Sequence, residues 1–150
     1  MNRIVLLAAP LVLSLVTACE SPAEKEADAV EDRVEAQADA ATAAAGTAVA
    51  ALGLTEAQLL DADLVAPDGT DLGDVELVQR DAAGAVEGFV VEVEGSDPDR
   101  YVSVPLAGLT TRVSGDDTDL QTSRTAADVA ALPAFTPPAT GQAAPVALAS

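Results

Sequence analysis

The chain contains no histidine and no tryptophan, one cysteine, one tyrosine and two phenylalanines; against 25 acids it sets 7 basic residues, of which Lys25 is the single lysine. Without histidine, neither a Ser-His-Asp nor a Cys-His relay can be assembled, and a zinc site would have to be built from carboxylates alone. Paired carboxylates of the glycosidase kind need an apolar cleft to raise one pKa, and no segment suggests one. No enzyme activity and no cofactor are expected. The formal charge of -18 argues against nucleic acid and anionic lipid surfaces as partners. It leaves basic proteins, or anionic polymers bridged by divalent cations, and it also favours solubility by itself. Beyond residue 18 no stretch approaches the ~20 apolar residues of a transmembrane helix.

What is present begins with "MNRIVLLAAPLVLSLVTACES": a basic Arg3, an apolar run from Ile4 to Val16, and small residues at Thr17 and Ala18. This is the pattern of a secretory signal, not of a span. The only cysteine follows at once, and Val16-Thr17-Ala18-Cys19 resembles the lipobox of bacterial lipoproteins. The resemblance implies cleavage after residue 18 and acylation (palmitate-type chains) of Cys19. Each buried acyl methylene contributes about 0.8 kcal/mol, so two or three chains would tether the protein stably to a membrane. In such lipoproteins an aspartate after the cysteine favours inner-membrane retention; Glu20 stands here, so the expected place is the outer membrane, facing the periplasm. Loss of residues 1–18 removes Arg3 and no acid, leaving 6 cations, 25 acids and a charge of -19.

Residues 19–53 are almost all Ala, Glu and Asp, the composition of a helical or partly disordered spacer. Ala27, Val30, Val34, Ala38, Ala41, Ala45, Ala48 and Leu52 recur at helical spacing and make one narrow apolar stripe. Early acids (Glu24, Glu26, Asp28) suit the positive helix end. A stripe of alanine buries little, so a solvated helix holding the next domain about 45 Å from the membrane is expected.

From residue 54 to 135 the texture becomes Val- and Leu-rich with Asp-Gly and Gly turns every 8 to 12 positions, the signature of an all-β sandwich or barrel. Val75 and Leu77 alternate with Asp74 and Glu76; Phe89, Val91 and Val93 with Glu92 and Glu94; Val102 and Val104 with Tyr101 and Ser103. So small a core favours closing the sheet into a barrel without edges. A short helix should follow, capped by Thr125 with Asp128 three residues on, and ended by Pro133. Residues 136–150, rich in Pro, Ala and Gly, are expected to be a disordered tail.

The middle segment resembles the PRC-barrel family of small β-barrels. The residues that carry the resemblance are "LLDADLVAPDGTDLGDVELV", with its Leu72-Gly73 step, then "GAVEGFVVEV", "YVSVPLAGL" and "TAADVAALPAF", which span Leu59 to Phe135. Two departures are Asp61, where a glycine is usual, and a short "GSDPDR" connection. The resemblance implies a non-catalytic binding or scaffolding module.

One stretch, "VAPDGTDLGDVELV", spaces Asp68, Asp71 and Asp74 three apart. A calcium loop of the EF-hand kind sets its ligands at alternate positions and closes with glutamate, whereas "PDG" is a strong turn signal. A turn is expected, with the three aspartates kept as candidate metal ligands; "SGDDTD" (Asp116, Asp117, Asp119) is the only other such stretch. The expected function is protein binding or envelope scaffolding by a lipid-anchored protein with a protein partner. The alternative is a divalent-cation-binding lipoprotein that stabilises the envelope.

Overall fold

The structure, a computed structural model, describes residues 22–137. The expected signal peptide, Cys19 and nearly all of the expected tail lie outside the described residues. Helix α1 (Pro22–Ala44) is the expected Ala-rich helix, but it ends well before Gly53. Residues 49–55 instead form a small hairpin, β1 (Val49–Ala51) against β2 (Leu54–Thr55). Its two-residue turn holds Leu52 at φ 51° and Gly53 at φ 81°, the mirror-image turn that hairpins favour. Helix α2 (Glu56–Leu60) follows, opened by a capping box in which Thr55 accepts from the Gln58 N–H and Gln58 reciprocates.

Six strands make the main sheet: β3 (Asp63–Val65), β4 (Asp71–Arg80), β5 (Val86–Val93), β6 (Tyr101–Pro105), β7 (Leu109–Ser114) and β8 (Asp117–Thr122). Their spatial order is β6-β5-β4-β3-β8-β7, antiparallel except for the β3–β8 pair. A flat sheet of this size would hold its edge strands about 24 Å apart, at ~4.8 Å per step. Here the edges β6 and β7 are joined by residues 106–108 alone, a link that spans at most about 14 Å. The sheet is therefore curled, but the expectation of a closed barrel is corrected: no ladder joins β6 to β7. The free side of β6 is already occupied. After α3 (Ala126–Ala130) the chain returns along it, with Ser103 N–H donating to Pro133 O at 3.2 Å, Phe135 N–H donating to Tyr101 O at 2.8 Å, and a bridge between Val102 and Ala134. Helix α3 itself is as expected, with Thr125 and Asp128 forming its capping box and Val129 buried.

The concave side of the curl holds the main core, centred on fully buried Phe89, Leu64, Leu120, Val102 and Val104, with Leu59 of α2 and Val129 of α3 closing it. A second cluster lies on the opposite side: Leu77, Val90 and Tyr101 under Val34 of α1, flanked by Val30 and Ala38. The spacer expectation is corrected by this contact. The stripe from Ala27 to Ala41 is real, but it is docked on β4, β5 and β6 and Val34 is wholly buried. The expected Val75/Leu77 alternation is corrected too. Register shifts between Val75 and Leu77 opposite Val91 and Val90, so Glu76 is an extra residue that turns Leu77 to the helix side.

Candidate functional site

The three aspartates at spacing three do not converge on one point. Asp68 sits in the β3–β4 turn, where its Oδ1 accepts the Thr70 N–H at 3.0 Å. Those backbone bonds hold its pKa below the ordinary value, with a smaller contribution from the Arg112 charge. Asp71 opens β4, its Oδ1 accepting the Gly73 N–H at 2.9 Å. Asp74 lies opposite Asp63 of β3 on the convex side of the sheet. "PDG" is thus a turn, as its chemistry implies, closed by Gly69 N–H donating to Ala66 O at 2.9 Å.

Folding nevertheless gathers acids that the sequence keeps far apart. Leu64 pairs with Leu120, which sets the preceding residues, Asp63 and Asp119, side by side on the convex face. Asp74 pairs with both Asp63 and Glu92. A row of carboxylates, Glu92, Asp74, Asp63 and Asp119, therefore crosses β5, β4, β3 and β8. Two grooves flank Asp63. One, of about 260 Å³, is lined by Asp39, Asp61, Asp74 and Glu76; the other, of about 360 Å³, by Asp61, Asp71, Asp117 and Asp119. No basic residue lines either groove. The Arg112 guanidinium, across from Asp119 on β7, is turned over Gly69 instead.

Crowding leaves an electrostatic mark. The Asp63 carboxyl is raised above the ordinary 3.8, by desolvation first and then by the charges of Asp71, Asp74 and Asp119. Burial raises Glu92 above 4.5, helped by Asp99, Glu76 and Asp74, while the Tyr101 hydroxyl opposes the rise. Glu76 is raised by burial, then by Asp74 and Glu35. Tyr101, buried beside these acids, is pushed well above the ordinary phenol range. Like charges on neighbouring strands disfavour each other. This face is one the fold tolerates rather than one that stabilises it.

Asp71 and Asp74 from one expected stretch and Asp117 and Asp119 from the other thus share a face, while Asp68 and Asp116 stay in turns. Asp61 and Asp63 link the two grooves; from sequence Asp61 stands out only as a departure from the family pattern, and Asp63 not at all. The alternation of Asp63 with Leu64 in "DADLV" was the available signal. Among the described residues no group of three or more acids is arranged to hold a metal ion, and no helix is long and apolar enough to cross a membrane. Cys19, the expected acylation site, is outside the described residues. No family model matches the chain, and no curated protein matches it.

Proposed function

We propose that this chain is a lipid-anchored envelope protein, tethered through Cys19 at the outer membrane and facing the periplasm, whose PRC-barrel-like domain binds a protein partner without catalysis. The observation that carries the binding reading is the acidic face of β4, β3 and β8, bordered by the end of α1 but open beyond it, which opposes folding through its own repulsion and gains from a partner. The curled six-stranded sheet, its edges joined by residues 106–108, supports the PRC-like assignment. The divalent-cation reading has less support, because the carboxylates stand in a line rather than around a point. Two measurements test the proposal. Cys19→Ser should move the protein from the membrane fraction to the soluble one, and a mutant still in membranes overturns the anchor. A photocrosslinker at Asp117 should yield a discrete adduct in cells while one at Glu26, on the outward side of α1, should not; adducts at neither position, or equally at both, overturn the binding reading.

A further inference from the structure

The least explained side chain of the acidic face is that of Asp119. It is 8% exposed, the only acid among the buried residues described, yet none of the described hydrogen bonds or ion pairs reaches its carboxylate. No polar side-chain atom among the described residues is both sealed from solvent and unpartnered, so what remains accessible of Asp119 opens into the groove it lines. Beside it Asp63 has no ion-pair partner among the described residues either; the Arg112 guanidinium is turned over Gly69, at the edge of the same groove. A carboxylate buried to this degree ordinarily has a charged or hydrogen-bonding partner. None of the described residues supplies one, and the groove is where Asp119 remains open to it.

We propose that the convex face centred on Asp63 and Asp119 docks an extended Lys- or Arg-rich segment of a partner protein. This rests on the protein-binding reading above and names the chemistry of the partner. The geometry favours a strand-like peptide over a compact cation. The row from Glu92 through Asp74 and Asp63 to Asp119 takes three inter-strand steps, about 14 Å at ~4.8 Å each. In an extended segment, side chains on one side recur about every 6.8 Å, so three basic residues at alternate positions cover that same length. A single calcium ion needs six to eight oxygens within about 2.6 Å of one point, and this row offers no such point.

The test uses the full chain in detergent and a fluorescein-labelled decapeptide of alternating lysine and serine, titrated by anisotropy at about 50 mM salt, where exposed charges are weakly screened. The double variant Asp63→Asn/Asp119→Asn should weaken binding at least tenfold. The double variant Glu26→Gln/Asp32→Asn, on the solvent side of α1, changes net charge equally and should weaken it less than twofold. Equal weakening by both pairs overturns the inference in favour of diffuse attraction. Spermidine displacing the peptide at matched charge concentration, or calcium displacing it far better than magnesium, overturns it in favour of a small cation. No binding by the wild type also overturns it; the broader reading then stands if the Asp117 crosslink still forms. The Asn variants relieve repulsion, so melting at or above the wild-type temperature shows that lost binding is not lost folding.

Discussion

One sheet presents two very different halves on its convex side. Across β4, β5 and β6 the outward residues are Leu77, Val90 and Tyr101, and α1 covers them. Across β3, β8 and the start of β4 they are Asp63, Asp119, Asp117 and Asp74, and α1 only borders them, through Ala38, Asp39 and Thr42 near its end. The strands on both sides belong to one sheet and share one concave core. What differs is every second residue. Whether a sheet surface becomes interior or interface is therefore written in the outward positions, independently of the inward ones that fix the fold.

The largest break in this comparison comes from Gly73, where β4 passes from one half to the other. It sits at φ 143°, and a Cβ there would run into the Glu92 carbonyl. Gly73→Ala should destabilise by about 4 kcal/mol, combining left-handed backbone strain with a backbone clash. Urea unfolding checks it, and a loss under 1 kcal/mol would show that β4 and β5 are less closely apposed. Next in size is Val34→Ala, which removes the wholly buried residue that seats α1. Two lost methyl groups and the gap they leave should cost about 2 kcal/mol, slightly reduced by the better helix propensity of alanine. On the bare half Asp117→Ala should stay within about 0.5 kcal/mol of wild type. If Val34→Ala is equally silent, the helix is a free-standing spacer after all.

That second outcome marks where the sequence was legible and where it was not. The α1 stripe, the capping box of α3 and the inward faces of β5 and β6 follow from periodicity and local chemistry, and the structure agrees. The docking of α1 does not follow. It needs Leu77 outward, and Leu77 is outward only because Glu76 is an extra residue in β4, a register event that alternation along one strand does not display. Thr55-Glu56-Ala57-Gln58 carried a readable helix start that was absorbed into the expected strand region. The closed barrel failed for a longer-range reason, because residues 133–135 take the side of β6 that β7 would have needed. The acidic face is likewise non-local. Asp63 and Asp119 lie 56 positions apart in the chain, and only the parallel β3–β8 pairing unites them.

Acid should strengthen both halves at first. Glu76 and Glu92 at the border of the covered half and Asp63 on the bare one have pKa values raised in the folded state. The folded chain binds those protons more tightly than the unfolded chain, so their ionisation penalises the fold at neutral pH. Stability rises as pH falls through the raised values and stops gaining from them below the ordinary 4.5 and 3.8. Asp68 and Asp128 are lowered by backbone bonds to Thr70 and Thr125. Their contribution is present above 3.8 and is lost as pH falls through their depressed values. The melting temperature should therefore climb from pH 7 to a maximum near the carboxylate range, then drop. A monotonic fall from pH 7 downward contradicts the repulsion on which the acidic face rests.

The smallest effect discriminates most finely, because it sets two aspartates of the same acidic neighbourhood against each other. Asp68 is bound to the Thr70 N–H and lies in the field of Arg112, so its charge serves the turn. Asp63 faces Asp71, Asp74 and Asp119 with no ion-pair partner among the described residues, so its charge opposes the fold. Asp68→Asn should lower the melting temperature, whereas Asp63→Asn should raise stability by about 0.3 kcal/mol, a value kept small because solvent screens a largely exposed group. Net charge changes identically in both variants, so relief of overall repulsion predicts the same sign for the two. Opposite signs require that local geometry decides, with carboxylates spent on turns separated from carboxylates left free on the face. If both variants stabilise alike, the acidity of this chain is a bulk property, and the convex row loses its claim to be a surface shaped for a partner.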